Sequence, residues 1–456
     1  MIICLTIELV MIIKGDEKII NGWVFYDWAN SVYNLVISSA IFPIFFDAVT
    51  TKHYLHRLGR DGEVLNKGEQ VKVLFFGVEL SSSVLLSFVL SASFLVVSFL
   101  SPLLSGIADY TGTKKKFMRL FCYLGAFSCV SLFWFDPDKI ELGMLSLFFA
   151  SIGFWNSLVF YNAFLPEIAD VEDHDRISAK GFSMGYLGSM LLLIFCLVWI
   201  QFLQMPVKWC FVFVAIWWIG FSQVTFHVLP NNVYDRKPKK GLWRGFRELV
   251  MVFKAFGKTK RLKRFLISFF FFNTGVQTVM LMATIFATRE INWPDDASAS
   301  GLIVAILLIQ LLGALGAFLM SKLSFFIGNK NTLLLGVFLW FFICCSAYFI
   351  TEPNAFYVMA ASVGLVMGGM QALARSTYSK FLPETKDHAS YFSFYDATEK
   401  IGIVIGTLFF GLIEYLTGSL RFSVVSVAMF FFIGFVSLLF VPKNEKEKFR
   451  NDINVV

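Results

Sequence analysis

Twelve apolar runs, most about twenty residues or longer, constrain this chain more than any other feature. They fall at 23–46, 84–107, 117–135, 141–165, 181–203, 207–229, 265–288, 298–320, 331–350, 354–381, 391–416 and 420–441. About 20 helical residues cross the roughly 30 Å of bilayer hydrocarbon, and only helices or closed barrels satisfy their backbone hydrogen bonds there. Charged residues make up 16% of the chain and the mean hydropathy is +0.69, whereas a soluble domain carries about 25% charged residues. The chain therefore reads as an all-α polytopic membrane protein. A long polar loop, 47–83, follows the first run, and its counterpart in the second half, 289–297, is short.

The runs are not independent. Tyr-Asn-Ala-Phe-Leu-Pro-Glu at 161–167 returns as Tyr-Ser-Lys-Phe-Leu-Pro-Glu at 378–384, with five of seven residues identical at an offset of 217. Gly112-Thr-Lys114 and Gly328-Asn-Lys330 repeat at an offset of 216. The chain thus reads as two pseudo-symmetric six-helix bundles, 1–229 and 265–456, joined by a linker, 230–264. Parallel repeats of multi-span units point to a transporter whose halves rock about a site between them. Each repeated proline can end its helix, so the two copies mark paired hinges or gates at the ends of spans 4 and 10.

Basic residues set the orientation. With both termini inside, inner segments hold 29 Lys and Arg and outer loops hold 9, with Lys400 inside span 11. The positive-inside rule then places both termini in the cytoplasm. The net charge of +7 belongs to the inner membrane face and not to a nucleic-acid surface. The linker holds 12 basic residues, and Trp243, Phe246, Leu249, Val250, Phe253 and Phe256 recur at helical spacing as an amphipathic helix on that face. The seven cysteines lack Cys-x-x-Cys spacing and read as small buried hydrophobes. No metal site, cofactor or phosphate-binding loop is expected. Residues 1–13 lack the basic leader of a signal peptide, and Met11 is an alternative start.

The turn after span 2 reads Gly106-Ile-Ala-Asp109-Tyr-Thr-Gly112-Thr-Lys114-Lys115-Lys116. Its glycines allow close helix approach and a tight turn, Asp109 can accept from a helix N-terminus, and the lysines hold the inner surface. The pattern resembles the signature loop of the major facilitator superfamily, which implies a latch formed by Gly106, Asp109, Gly112 and Lys114. The copy after span 8 has Phe325 where Asp109 would map, so the latch is expected mainly on the first-half side.

On span 1, Asp27, Asn30, Ser31, Asn34 and Ser38 share one helical face. A polar stripe in a membrane helix faces other helices or water. The string Tyr26-Asp27-Trp28-Ala29-Asn30-Ser31 resembles the vacuole-effluxer branch of the superfamily, the autophagy-related amino-acid exporters and their bacterial relatives. Gly185-Tyr186-Leu187-Gly188, Gly275-Val276-Gln277-Thr278, the stretch from Gly368 to Ser376, and Phe394-Tyr395-Asp396 with Lys400 are similar too. The resemblance spans about 20–440 and implies twelve helices in a major facilitator fold and export or exchange of small solutes, amino acids above all. It also implies a cavity lined by spans 1, 4, 7 and 10. There Asp27, Asn30, Asn34, Asn156, Asn162, Asn273, Gln277, Gln371 and Arg375 form the candidate substrate path, with Arg375 either gripping a carboxylate or snorkelling to the interface. The site is sought where the halves differ, in Asn156 and Asn162 against Gln371 and Arg375. Two departures stand out: Thr274 replaces an acidic residue, and Glu399 stands where the branch is usually small or neutral.

Asp396, Glu399 and Lys400 cluster on about one turn of span 11. Asp396 and Lys400 are an i, i+4 pair, and Glu399, without a local partner, is the candidate for proton coupling; an ion network with Arg375 is the competing expectation. The expected function is secondary active or facilitated export of a small zwitterion by a monomer in a bacterial cytoplasmic (inner) membrane. The alternative is a polytopic membrane enzyme acting on a lipid or sugar, which would need clustered catalytic side chains at one interface, and none is visible.

Overall fold

The computed structural model describes residues 14–63, 65, 69–230, 250–254, 259–294 and 298–442. The alternative start and most of the linker helix lie outside them; of that helix, 250–254 is described and helical.

Among the described residues, twelve helices are long and apolar enough to span a membrane. In order they are Glu17–Arg57, Ser82–Thr111, Lys114–Trp134, Pro137–Ile168, Val171–Gln201, Lys208–Val228, Lys260–Glu290, Ser300–Ile327, Asn329–Ser346, Pro353–Phe381, His388–Thr417 and Leu420–Leu439, here spans 1 to 12. Twelve crossings return the chain to its starting side, so the linker and both described ends share one side, the linker side.

Packing shows the duplication directly. In the first half span 1 packs on spans 5 and 6, span 3 on 4 and 6, and span 2 on 4. Spans 7 to 12 repeat every one of these pairings six helices later. The halves meet through spans 2 and 11 and through spans 5 and 8, again a symmetric pair, with spans 4–11 and 5–10 adding a second.

Small residues permit the close crossings, since lipid tails compete equally for apolar side chains and association rests on close packing. A Cβ on Gly153 of span 4 would lie 2.4 Å from the Gly125 nitrogen of span 3. One on Gly368 of span 10 would lie 2.0 Å from the Gly313 carbonyl of span 8.

The described residues of the segment 47–83 are only in part the loop that its polarity suggested. Span 1 continues through a π-helical stretch, Tyr33–Ala40, into Ile41–Arg57. An antiparallel hairpin follows, β1 Lys72–Phe75 and β2 Val78–Ser81, turning at Phe76 and Gly77, both at positive φ. Among the described residues, part of the polarity belongs to a helix extended beyond the first apolar run and to a hairpin tied down by the Phe76 N–H donating to Glu141, with a connecting stretch between them.

Gly368→Ala forces spans 8 and 10 apart and should cost about 1–3 kcal/mol by overpacking, whereas Gly411, with no atom within 4 Å of its added Cβ, should accept alanine without loss. Thermal unfolding followed by size-exclusion chromatography separates the two.

Candidate functional site: a gate and two latches

Arg375, 3% exposed, lies on span 10, one and a half turns before that helix ends. Its Nη1 and Nη2 each donate to Asp27 Oδ2 on span 1 at 3.1 Å. Nε donates to Ser178 Oγ and Nη2 to the Ser178 carbonyl, both at 2.9 Å, and Nη1 reaches Asn162 Oδ1 at 3.4 Å. A guanidinium has five N–H groups in a planar fork, and each has a partner here. Tyr161 of span 4 donates to the same Asp27 oxygen at 2.8 Å. Phe182 and Trp23 cover the guanidinium with ring centroids 4.2 and 4.9 Å away. Asp27, Tyr161 and Ser178 belong to the first half and Arg375 to the second, so this ion pair bridges the two.

The pair fits only because span 5 carries no side chain at Gly181. A Cβ there would lie 2.4 Å from Asp27 Oδ2 and 3.0 Å from Arg375 Nη2. Arg375 therefore neither snorkels nor stands free for a solute carboxylate in this state. Nor does it join the span 11 cluster: its counter-ion is Asp27.

The first candidate latch lies at the linker end of spans 2 and 11. Asp109 accepts from the backbone N–H groups of Ala389 at 3.1 Å and Ser390 at 2.7 Å, and from Ser390 Oγ at 2.8 Å. These groups open span 11, where unpaired N–H groups and the helix dipole favour an anion. Lys114 sits 3.3 Å from Asp109 and contacts Glu167, whose carboxylate also meets His388 Nδ1 at 2.9 Å. Gly112 ends span 2 in the left-handed region at φ 70°, and Gly106 is buried on the same helix. Lys114 and Lys115 are buried, not spread on the surface, and Lys115 donates to the Leu229 carbonyl at 2.6 Å.

A second latch corrects the expectation of a one-sided device. Asp175, at the start of span 5, accepts from Asn329 Nδ2 and Ser376 Oγ at 2.6 Å each, Lys380 Nζ at 2.5 Å and Ser324 Oγ at 3.0 Å. All four donors belong to the second half. Phe325, in the last turn of span 8, does leave that helix end without an acid, but Asp175 on the facing helix supplies one. Span 5 is the first-half equivalent of span 11, and its Asp175 stands where span 11 has Ala389.

The remaining path candidates separate. Gln371 accepts from Tyr186 of span 5 at 2.6 Å, another bridge between halves. Asn156 does not face the path: wholly buried, it accepts from Ser101 of span 2 and donates to the Ile152 carbonyl. Asn30 and Asn273 are buried with amide nitrogens that lack a partner, and Asn34 is exposed. In span 11, Lys400 lies 3.1 Å from Asp396 and 3.3 Å from Glu399, and Glu399 has a partner after all in Gln277 Nε2 at 2.6 Å. Among the described residues, no group of three His, Cys, Asp or Glu could hold a metal.

Residues 15–450 match the family described as vacuole effluxer Atg22 like. The chain belongs to this family. It is 29% identical to the uncharacterised MFS-type transporter YxiO of Bacillus subtilis (strain 168), over 94% of this chain and 96% of that one. It is 22% identical to autophagy-related protein 22-1 of Penicillium rubens, over 93% and 90% of the two chains. Among solved structures it resembles the fucose transporter FucP in the outward conformation, with a TM-score of 0.65 at 13% identity over 94% of this chain and 99% of that one. The human organic anion transporter MFSD10 gives 0.67 at 12%, over 92% and 98%. These likenesses establish the major facilitator fold, and the Atg22-like chain is a multi-pass membrane protein of that superfamily.

Asp175→Ala removes a carboxylate from four donors, at about 1.5–3 kcal/mol for each charged hydrogen bond. With Ala372, wholly buried beside Ser178, replaced by cysteine in a cysteine-free protein, Asp175→Ala should raise maleimide labelling about tenfold or more, a factor equivalent to 1.4 kcal/mol. Asp109→Ala should act in the same direction. Unchanged labelling in both would mean that neither latch holds the linker side shut.

Proposed function

We propose that this Atg22-like protein is a secondary transporter or facilitator that exports a small zwitterion, an amino acid or similar solute, by alternating access. The observation that carries this reading is the placement of charge between the halves. Among the described residues, the ion pairs that join the halves, Asp27–Arg375, Asp175–Lys380 and Glu167–His388, all lie toward the linker side. Each joins a helix of one half to the other half, so each breaks when the halves rock apart at that end. A closed linker side with separable contacts is one of the two end states that alternating access requires.

The basic linker and the excess of inner lysines and arginines support a cytoplasmic linker side and cytoplasmic termini. A bacterial cytoplasmic membrane and a monomer complete the reading. Asn34, Gln277 and Gln371 then belong to the path on the far side of the gate. When the linker side opens, Asp27 and Arg375 part, and each meets the group of opposite charge on a zwitterion.

Protein reconstituted in liposomes loaded with a panel of amino acids should release at least one of them faster than protein-free vesicles. Arg375→Lys keeps the charge but loses the planar fork, and should slow that release about tenfold or more, the factor for 1.4 kcal/mol. No accelerated release across the panel would reject the solute class.

A further inference from the structure

The charges inside span 11 do not cancel. Asp27 and Arg375 neutralise one another, but Asp396 and Glu399 share the single ammonium of Lys400. Asp396 Oδ2 is buried and accepts no hydrogen bond, although its residue is 6% exposed. Lys400 Nζ is wholly buried and also lacks hydrogen-bond geometry to any partner. It rests instead 3.3 Å from the ring centroid of Trp155, which belongs to span 4 in the other half. Glu399 is tied to span 7 by Gln277.

Two deficits therefore coincide at one place. An uncompensated charge within the membrane costs roughly 2.5–3.5 kcal/mol on insertion scales, and a buried polar atom without a partner costs about 1–3 kcal/mol. A proton on either carboxylate cancels the surplus charge, and an ammonium group cancels it and also donates to Asp396 Oδ2. We propose that Asp396 and Glu399, walled by Trp155, form a binding site for one cationic charge, supplied either as a proton or as the ammonium group of an amine-bearing solute. The ammonium case rests on the transport reading above, while the proton case does not. Trp155 already carries one ammonium on its face, that of Lys400, as cation–π attraction allows. Because Trp155 and the carboxylates sit on opposite halves, the site is complete only when spans 4 and 11 are together, which ties occupancy to the closed arrangement.

The surroundings hold few other ionisable groups. Span 7 faces the cluster with Gln277 and, beside Gly402, Thr274. Span 10 contributes Tyr378, whose ring meets Tyr395 of span 11 at 4.9 Å, and Arg375, already paired. Asp109 of span 2 is engaged at the foot of span 11, and Arg421 of span 12 pairs with Glu290 at the other end.

Protein in lipid nanodiscs tests both sources. In infrared difference spectra at neutral pH, a proton at the site gives a protonated-carboxyl stretch in wild type that disappears in Glu399→Gln. An ammonium site gives a saturable change in Trp155 fluorescence, taken as wild type minus Trp155→Phe, on titration with ethylammonium chloride; Glu399→Gln weakens it at least tenfold. Either result supports the site, and Asp396→Asn serves the same comparison if Glu399→Gln does not fold. Absence of both signals overturns the proposal, as does an equal response to sodium chloride. The infrared signal stands even if no solute is found to move, so failure of the transport reading is distinguishable from failure of the site.

Discussion

The ion pair between Asp27 and Arg375 is the contact on which the rest of the structure depends. Two charges removed from water lose several kcal/mol of solvation each, and their attraction offsets this only with good geometry and satisfied hydrogen bonds. Here the geometry is complete: every N–H of Arg375 is used, and Tyr161 completes the donors on Asp27 Oδ2. The partners come from different halves, so this arrangement exists only while the linker side is shut. Opening leaves two charges that water or a solute must satisfy. On the proposed alternating-access reading, the pair contributes less to folding stability than to the choice between two arrangements of the same helices.

The latches extend that choice to the membrane face, and they show how duplication diverged. In the first, Asp109, in the last turn of span 2, meets the opening N–H groups of span 11. In the second, the acid stands at a helix start, Asp175 of span 5, and the donors come from Asn329 after span 8 and from Ser376 and Lys380 of span 10. The repeated Tyr-x-x-Phe-Leu-Pro-Glu frames this exchange. Its two variable positions hold Asn162 and Ala163 in one copy and Ser379 and Lys380 in the other. Asn162 supports Arg375 while Lys380 supports Asp175. Glu167 of the first copy joins a latch, whereas Glu384 of the second is exposed. Contacts between halves thus come from variable positions, Asn162 and Lys380, and from the shared glutamate in the first copy alone.

Most of the architecture was legible in the sequence because span length and apolarity are local properties that lipid enforces. Asp109, Arg375 and the span 11 cluster were legible because each breaks an apolar pattern or sits in a recognisable turn. Asp175 was not, because it lies in an acidic stretch before the apolar run of span 5, and only tertiary packing distinguishes it from Glu172 and Asp173. Gly181 carries no chemical signal at all; its importance is the absence of a Cβ at one crossing. Asn156 looked like a path residue from its helix but lies on the face turned to span 2. The segment 47–83 misled for a related reason: polarity reports exposure to water, which a protruding helix and a hairpin share with a loop.

If Asp27–Arg375 holds the linker side closed, removing its charge should open that side. The most direct measurement is the distance between spin labels at exposed Arg176 and Lys386, across the linker side, by double electron–electron resonance in nanodiscs. Wild type should give one short, narrow distribution. Asp27→Asn leaves Arg375 buried without a counter-charge, at about 3–5 kcal/mol for breaking a buried pair, and should shift the distribution to longer distances. An Asp27→Asn distribution that overlays the wild type would contradict the account.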